Sequence, residues 1–311
     1  MDSLFKTMPN KTVLVTGAEG FTGKYIVPFL MERDYHVIAM GLGTVDSSEA
    51  IQCDLSDARK VHKVVRQTNP DFVIHLAGMS FIGESDSSEF YRINLFGTLN
   101  LIEGIAQLPS PPKKVLIASS ANVYGNLQRE VIDESVCPVP VNHYAISKLA
   151  MEFMVRTWFE KLPIIITRPF NYTGPGQDER FLIPKIVAHF HRKEKEIRLG
   201  NTSVSRDFSN VLDIVVSYVS LMESNAHSLI VNVCSGMATS IPEIIATMNI
   251  IAGYAINVKI DSGLVRENEI TYFKGSNDLL KKIIGFAPSI PLSETLFSIY
   301  KSLDNGNKNH T

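Results

Sequence analysis

The segment that most restricts the fold of this chain is residues 13–24, with the sequence VLVTGAEGFTGK. Its aliphatic start is too short for a free-standing helix, and a helical pattern begins at Phe21, so we predict a strand, a glycine turn and a helix. Gly17 permits the tight turn, and Gly23 lets helix and strand pack closely. Because Gly20 has no Cβ, a ligand can approach the backbone of the turn. Because the N-terminus of such a helix binds phosphate groups, the segment predicts a dinucleotide site, and an ordinary turn between strand and helix is the alternative for this segment taken alone.

Strand and helix patterns alternate from this segment to about residue 168. Further strands are predicted at 36–40, 51–53, 71–77, 114–120 and 164–168, and helices at 57–68, 90–106 and 143–160. This alternation predicts an α/β fold with a doubly wound parallel sheet and a ligand at the carboxyl ends of the strands.

A stretch rich in Pro, Gly and Asn at 169–178 ends this alternation. We therefore expect a Rossmann domain over residues 1–170, to which residues 209–235 return. Residues 171–208 and 236–311 are expected to form a smaller C-terminal α/β lobe that binds the substrate.

Composition argues against several classes of protein. Thirty basic and 32 acidic residues give a net charge of −2, so no global field attracts nucleic acid or an anionic membrane. Cys53, Cys137 and Cys234 are far apart, which predicts neither a disulfide framework nor a metal site and fits a reducing cytoplasm. No apolar run approaches the length of a membrane span, and residues 1–11 lack the order of a secretion signal. We expect a cytoplasmic protein.

Tyr144, Lys148 and Ser120 form the clearest candidate for catalysis. A separation of four residues places the phenol of Tyr144 and the ammonium of Lys148 on one helix face. Since a cation favours an ionised phenol, we expect Lys148 to lower the pKa of Tyr144 toward neutrality and let it exchange a proton with a carbinol or carbonyl oxygen. Ser120 ends a predicted strand, where its hydroxyl could hold the same oxygen. For the Tyr144–Lys148 pair taken alone, an exposed helix pair without a role is the alternative.

These residues resemble the extended short-chain dehydrogenase/reductases that act on nucleotide sugars, and the resemblance covers nearly the whole chain. The motifs that carry it are GAEGFTG at 17–23, Asp54-Leu55, His75-Leu76-Ala77, Asn94 with GTLN at 97–100, SSANVYG at 119–125, YAISK at 144–148 and RPFN at 168–171. The resemblance implies that Ser120, Tyr144 and Lys148 are the catalytic trio, and that Lys148 also holds the nicotinamide ribose. It gives Asn94 mainly the role of pinning a helix, so we leave Asn94 outside the catalytic set.

The resemblance also implies a site for NADPH or NADH. Its expected residues are Gly17, Gly20, Phe21, Thr22, Gly23, Asp54, Leu55, Leu76, Ala77, Tyr144 and Lys148. Asp54 and Leu55 would contact the adenine. The end of the second strand, GLGT at 41–44, offers neither the acid typical of NAD sites nor the arginine typical of NADP sites. Lack of an acid there removes repulsion of a 2′-phosphate, so we expect a slight preference for NADPH.

The residues after Ser120 bear on the type of reaction. Dehydratases of this family place a carboxyl group directly after the catalytic hydroxyl, whereas Ala121 and Asn122 stand here and cannot exchange a proton in that way. The stretches 168–177, 205–213 and 233–236 are most similar to the 4-keto-6-deoxyhexose reductases, GDP-4-keto-6-deoxymannose reductase among them. The resemblance thus implies reduction of the C4 ketone of a GDP- or dTDP-linked sugar. A 4-epimerase with tightly bound NAD and a non-catalytic dinucleotide sensor are the alternatives.

Ser80, Asn171, Arg206 and Arg266 are the expected substrate contacts. The two arginines match family positions that meet the substrate diphosphate, a task that suits guanidinium groups. A surface ion pair is the alternative for each arginine, and for Arg206 the adjacent Asp207 could be the partner. A capped turn is the alternative for Asn171.

The family usually forms homodimers through two long helices of each subunit, here predicted at 90–106 and 143–160. Phe153, Met154, Trp158 and Phe159 supply apolar surface for such an interface. We therefore expect a homodimer.

Overall fold

The computed structural model describes residues 10–43, 49–80, 86–127, 129–264 and 270–306. Its centre is a seven-stranded sheet in the order β10-β6-β5-β4-β1-β2-β3, with every pairing parallel. The strands are β1 (Thr12–Thr16), β2 (His36–Gly41), β3 (Ala50–Gln52), β4 (Phe72–His75), β5 (Lys114–Ala118), β6 (Ile164–Pro169) and β10 (Leu229–Val233). The strand order reverses between β1 and β4, so a crevice opens where their carboxyl ends meet. This confirms the predicted doubly wound Rossmann fold.

Helices cover both faces of this sheet, because alternate residues of each strand point to opposite sides. Val13 and Val15 of β1 pack with one group of helices, and Leu14 packs with the other. The first group contains α1 (Gly23–Met31), α7 (Val211–Glu223) and α9 (Asp278–Ile284), and the second contains α2 (Ala58–Thr68), α4 (Thr98–Ala106) and α5 (His143–Arg156). A short helix, α3 (Ser88–Tyr91), and a π-helical segment (Arg92–Gly97) lead directly into α4.

The start of α5 is fixed by its own sequence. The Asn142 side chain accepts a hydrogen bond from the backbone N–H of Ala145 at 2.9 Å, which caps the first turn. Because Tyr144 and Lys148 follow within six residues, this cap sets the position from which both side chains project.

A second, smaller layer of structure follows β6. Its strands are β7 (Asn171–Thr173), β8 (Glu196–Leu199), β9 (Ser205–Asn210), β11 (Ala238–Ser240), β12 (Asn257–Ile260) and β13 (Tyr272–Phe273), and its helices are α6 (Leu182–His191), α8 (Ile241–Ala252) and α10 (Leu292–Gly306). β7, β11 and β13 all pair with β9, whereas β8 and β12 form a separate ribbon. A core of its own joins α6, α8 and α10.

Two segments return from this part of the chain to the large sheet. α7 and β10 do so within the expected stretch 209–235. α9 does so as well, since Leu280 is fully buried against the same core. The predicted lobe of residues 236–311 therefore contributes one helix to the large sheet, and the two-domain division stays a prediction. In the described part of the chain no helix is both long and apolar enough to span a membrane.

Candidate active site

The glycine turn lies at the crevice where the strand order reverses. Gly17 has a φ of +69°, its N–H donates to the Met40 carbonyl at 2.8 Å, and a Cβ on it would lie 2.6 Å from the backbone nitrogen of Ala77. Only glycine fits so close to the neighbouring strand end. α1 begins just beyond, and its N-cap residue, Thr22, makes no capping bond through its side chain. A glycine turn followed by an uncapped helix N-terminus fits the diphosphate of a dinucleotide.

Tyr172 lies against this helix start and was not anticipated from the sequence. Its phenol hydrogen-bonds the Thr22 hydroxyl at 2.8 Å, and its ring stacks on Phe21 with a centroid separation of 6.1 Å. Tyr172 belongs to β7, so the crossover into the second lobe contacts two of the expected cofactor residues.

The other expected cofactor residues follow two further strands of the large sheet, β3 and β4. Asp54 lies beyond β3, where it accepts the N–H of Ser56 at 2.8 Å. Leu55 is buried and contacts Gly97, so its side chain belongs mainly to the core. Leu76 and Ala77 follow β4 and are held by hydrogen bonds from their N–H groups to the backbone and hydroxyl oxygens of Thr16, at 3.1 and 3.3 Å.

Ser120 and Tyr144 meet beyond the carboxyl end of β5. Burial raises the pKa of Tyr144 to about 12, and a hydrogen bond with the Ser120 hydroxyl lowers it in part. The predicted direction of this pKa was wrong, because removal of the phenol from water outweighs any effect of the lysine on the same helix. Phe90 packs beside Tyr144, with ring centroids 5.9 Å apart.

Lys148 is buried between the ends of β4 and β5. Its Nζ donates to the Ala118 carbonyl at 2.9 Å, and a Cβ on Gly78 would lie 2.9 Å from it. Burial lowers the pKa of Lys148 to about 8. Asn94 holds the neighbouring loop through Met79 and holds α5 through Ser147, each by hydrogen bonds of 2.8–3.0 Å. Asn94 thus pins this helix, as expected.

A buried ionic network lies next to the catalytic trio of Ser120, Tyr144 and Lys148. It was not predicted from the sequence. Glu152, one turn after Lys148, accepts hydrogen bonds from Arg168 at 2.9 and 2.5 Å and from the Ser119 hydroxyl at 2.6 Å. Arg168 is the next-to-last residue of β6 and lies over the ring of Tyr124. The network therefore joins α5 to the strand end that carries Ser120.

The expected substrate residues lie in several places. Asn171 is on β7, where its side-chain amide donates to the Asp207 carbonyl at 3.3 Å, and Arg206 lies on the paired strand β9. The Asp207 carboxylate accepts hydrogen bonds from the N–H and hydroxyl of Ser235 and from the Gly236 N–H. Ser80 is exposed beyond β4, and Arg266 lies outside the described residues.

The model of one protein family, described as GDP-mannose 4,6 dehydratase, matches residues 14–298. The chain belongs to this family. It is accordingly an enzyme of the short-chain dehydrogenase/reductase class that uses NAD(P) and modifies nucleotide sugars.

Two curated relatives resemble the chain over most of their length. A GDP-6-deoxy-D-talose 4-dehydrogenase from Aggregatibacter actinomycetemcomitans is 34% identical, with 88% of this chain and 91% of the relative covered. A GDP-6-deoxy-D-mannose reductase from Pseudomonas aeruginosa is 31% identical, with 92% and 95% covered.

Two similar solved structures contain dinucleotides. The structure of RMD from Pseudomonas aeruginosa complexed with NADPH has a TM-score of 0.84 and 29% identity, covering 96% of this chain and 98% of that one. MoeE5 in complex with UDP-glucose and NAD has a TM-score of 0.87 and 25% identity, covering 95% and 99%. Both cofactors therefore occur on this fold.

Proposed function

We propose that this enzyme reduces the C4 ketone of a nucleotide-activated 4-keto-6-deoxyhexose. The observation that supports this most is the meeting of the Ser120 hydroxyl and the Tyr144 phenol beside Ala121 and Asn122. Two neutral hydroxyl donors suit a ketone oxygen on which negative charge develops. Elimination of water would need a carboxyl group as acid or base, and neither of the two following residues supplies one.

In the proposed reaction, Tyr144 donates its proton to the C4 oxygen and Ser120 donates a hydrogen bond to the same atom. The raised pKa of Tyr144 keeps the phenol protonated at neutral pH, as a proton donor must be. Lys148 would hold the nicotinamide ribose, and the bound nicotinamide supplies the hydride. The diphosphate of the cofactor would lie on the turn formed by Gly17, Gly20 and Gly23.

The substrate would extend from Tyr144 toward the second lobe. Asn171 and Arg206 lie on paired strands there, and Arg206 is partly exposed, which suits contact with the sugar diphosphate. We assign Ser80 and Arg266 to the same site. Both curated relatives are named for GDP-linked sugars, so we propose a GDP-sugar.

The test is oxidation of NADH and NADPH, followed at 340 nm, with GDP- and dTDP-4-keto-6-deoxyhexoses. We expect turnover with the GDP-sugar and a loss of about 10²- to 10⁴-fold in kcat for Tyr144→Phe, because only the proton donor is removed. Tyr254→Phe removes a phenol hydroxyl in the second lobe and should leave kcat unchanged. No turnover with any such ketone would refute the proposal. Interconversion of nucleotide sugars by protein that retains NAD would identify a 4-epimerase instead.

We further propose a cytoplasmic homodimer paired through α5 and the π-helical segment. These two elements pack side by side, and each exposes a phenylalanine, Phe153 at 57% and Phe96 at 54%. Met154, Trp158 and Phe159 are partly buried against the subunit's own core, so they would contribute less. A second copy would cover the exposed rings.

A further inference from the structure

One charged side chain of the glycine turn, that of Glu19, extends to the neighbouring strand β2. Glu19 reaches the end of β2, where its Oε1 accepts the Leu42 N–H at 2.8 Å. A Cβ on Gly41 would overlap the Glu19 carboxylate, so glycine at the strand end makes room for it.

The second carboxylate oxygen of Glu19 has no partner. Oε2 is buried and accepts no hydrogen bond among the residues that the structure describes. None of the described lysines or arginines forms an ion pair with it. An unpaired, buried anionic oxygen is costly, and a ligand that donates a hydrogen bond would relieve that cost.

We propose that Glu19 binds the 2′-hydroxyl of the adenosine ribose and makes this enzyme select NADH over NADPH. In dinucleotide-binding folds an acid near the end of the second strand accepts the ribose hydroxyl. Here that strand end, from Gly41 to Gly43, has no acid of its own. Glu19 brings a carboxylate to the same place from the turn that holds the diphosphate.

The chemistry of the two cofactors differs only at this hydroxyl. A ribose hydroxyl donates to a carboxylate, whereas a 2′-phosphate is an anionic acceptor that has no proton to share with it. At a partly buried site the repulsion between two such anions is stronger than in water. The proposal reverses the slight preference for NADPH that was expected from the sequence. That expectation was based only on the lack of an acid at the end of the second strand. It rests on the use of NAD(P) and does not depend on the ketone reduction.

The experiment is calorimetric titration of the protein with NADH and NADPH in the absence of any sugar. We expect the wild type to bind NADH at least about 100-fold more tightly. Glu19→Gln should narrow this ratio to within about tenfold, chiefly by tighter binding of NADPH, because the amide has no charge. Glu32→Gln removes one negative charge at the other end of α1 and should keep the wild-type ratio.

Equal affinity of the wild type for the two cofactors would overturn the proposal, and this comparison needs no variant. An unchanged ratio in both Glu19→Gln and Glu19→Ala, each checked for folding by circular dichroism, would also overturn it. Because no sugar is present, a failed ketone reduction would leave this result intact.

Discussion

Replacement of Glu152 by Ala should destabilise the protein strongly. The carboxylate of Glu152 and the guanidinium of Arg168 are 2% and 4% exposed and lie 2.5 Å apart. Burial alone would lower the pKa of Arg168, and Glu152 reverses that effect. Removal of the carboxylate leaves a buried cation without its partner, which costs about 3–5 kcal/mol. The Ser119 hydroxyl also loses its acceptor, at a cost of about 1 kcal/mol.

The measurement is urea unfolding of the wild type and the variant, monitored by circular dichroism. Glu89→Ala is the matched control, because it breaks an ion pair of similar length, 2.6 Å, between exposed side chains and should cost about 0–1 kcal/mol. The double variant Glu152→Met with Arg168→Met should recover most of the loss, since neither charge of the pair remains. If Glu152→Ala lost no more stability than Glu89→Ala, the network would not have the structural role that its geometry indicates.

Two further predictions concern Lys148 and the homodimer. Because burial lowers the pKa of Lys148 from 10.5 to about 8, its side chain binds more protons in the unfolded chain between these values, and the contribution of Lys148 to the free energy of unfolding should rise by up to about 3 kcal/mol as pH increases through that window. Lys148→Met should remove this rise in thermal melts at pH 7, 9 and 10.5, and an identical pH dependence in both proteins would contradict the assignment. Light scattering should give twice the mass of one chain for the wild type, and Phe96→Asp with Phe153→Asp should give the monomer. A wild-type monomer would refute the interface.

The large sheet could be predicted because its strands are buried on both faces. β1, β5 and β6 read as continuous aliphatic runs, and their predicted positions agree with the structure to within two residues. The position of Ser120 just beyond the carboxyl end of β5 followed from the same logic, since parallel strands present their carboxyl ends at one edge.

The second lobe could be predicted only in outline. Its strands are two to six residues long, and several of their side chains are partly exposed, so no alternating pattern is long enough to recognise. α9, with seven residues, fell in a stretch without an evident period. Its return to the large sheet depends on contacts far apart in sequence, such as that between Leu280 and the core.

The pKa values of Tyr144 and Lys148 could not be predicted from residue spacing alone. Four residues of separation place Tyr144 and Lys148 on one face, but the Lys148 ammonium is drawn to the Ala118 carbonyl and its own pKa falls to about 8. With a pKa of about 12, Tyr144 is a phenolate in only about one molecule in 10⁵ at pH 7. In the proposed ketone reduction, this protonated phenol would donate its proton to the C4 oxygen.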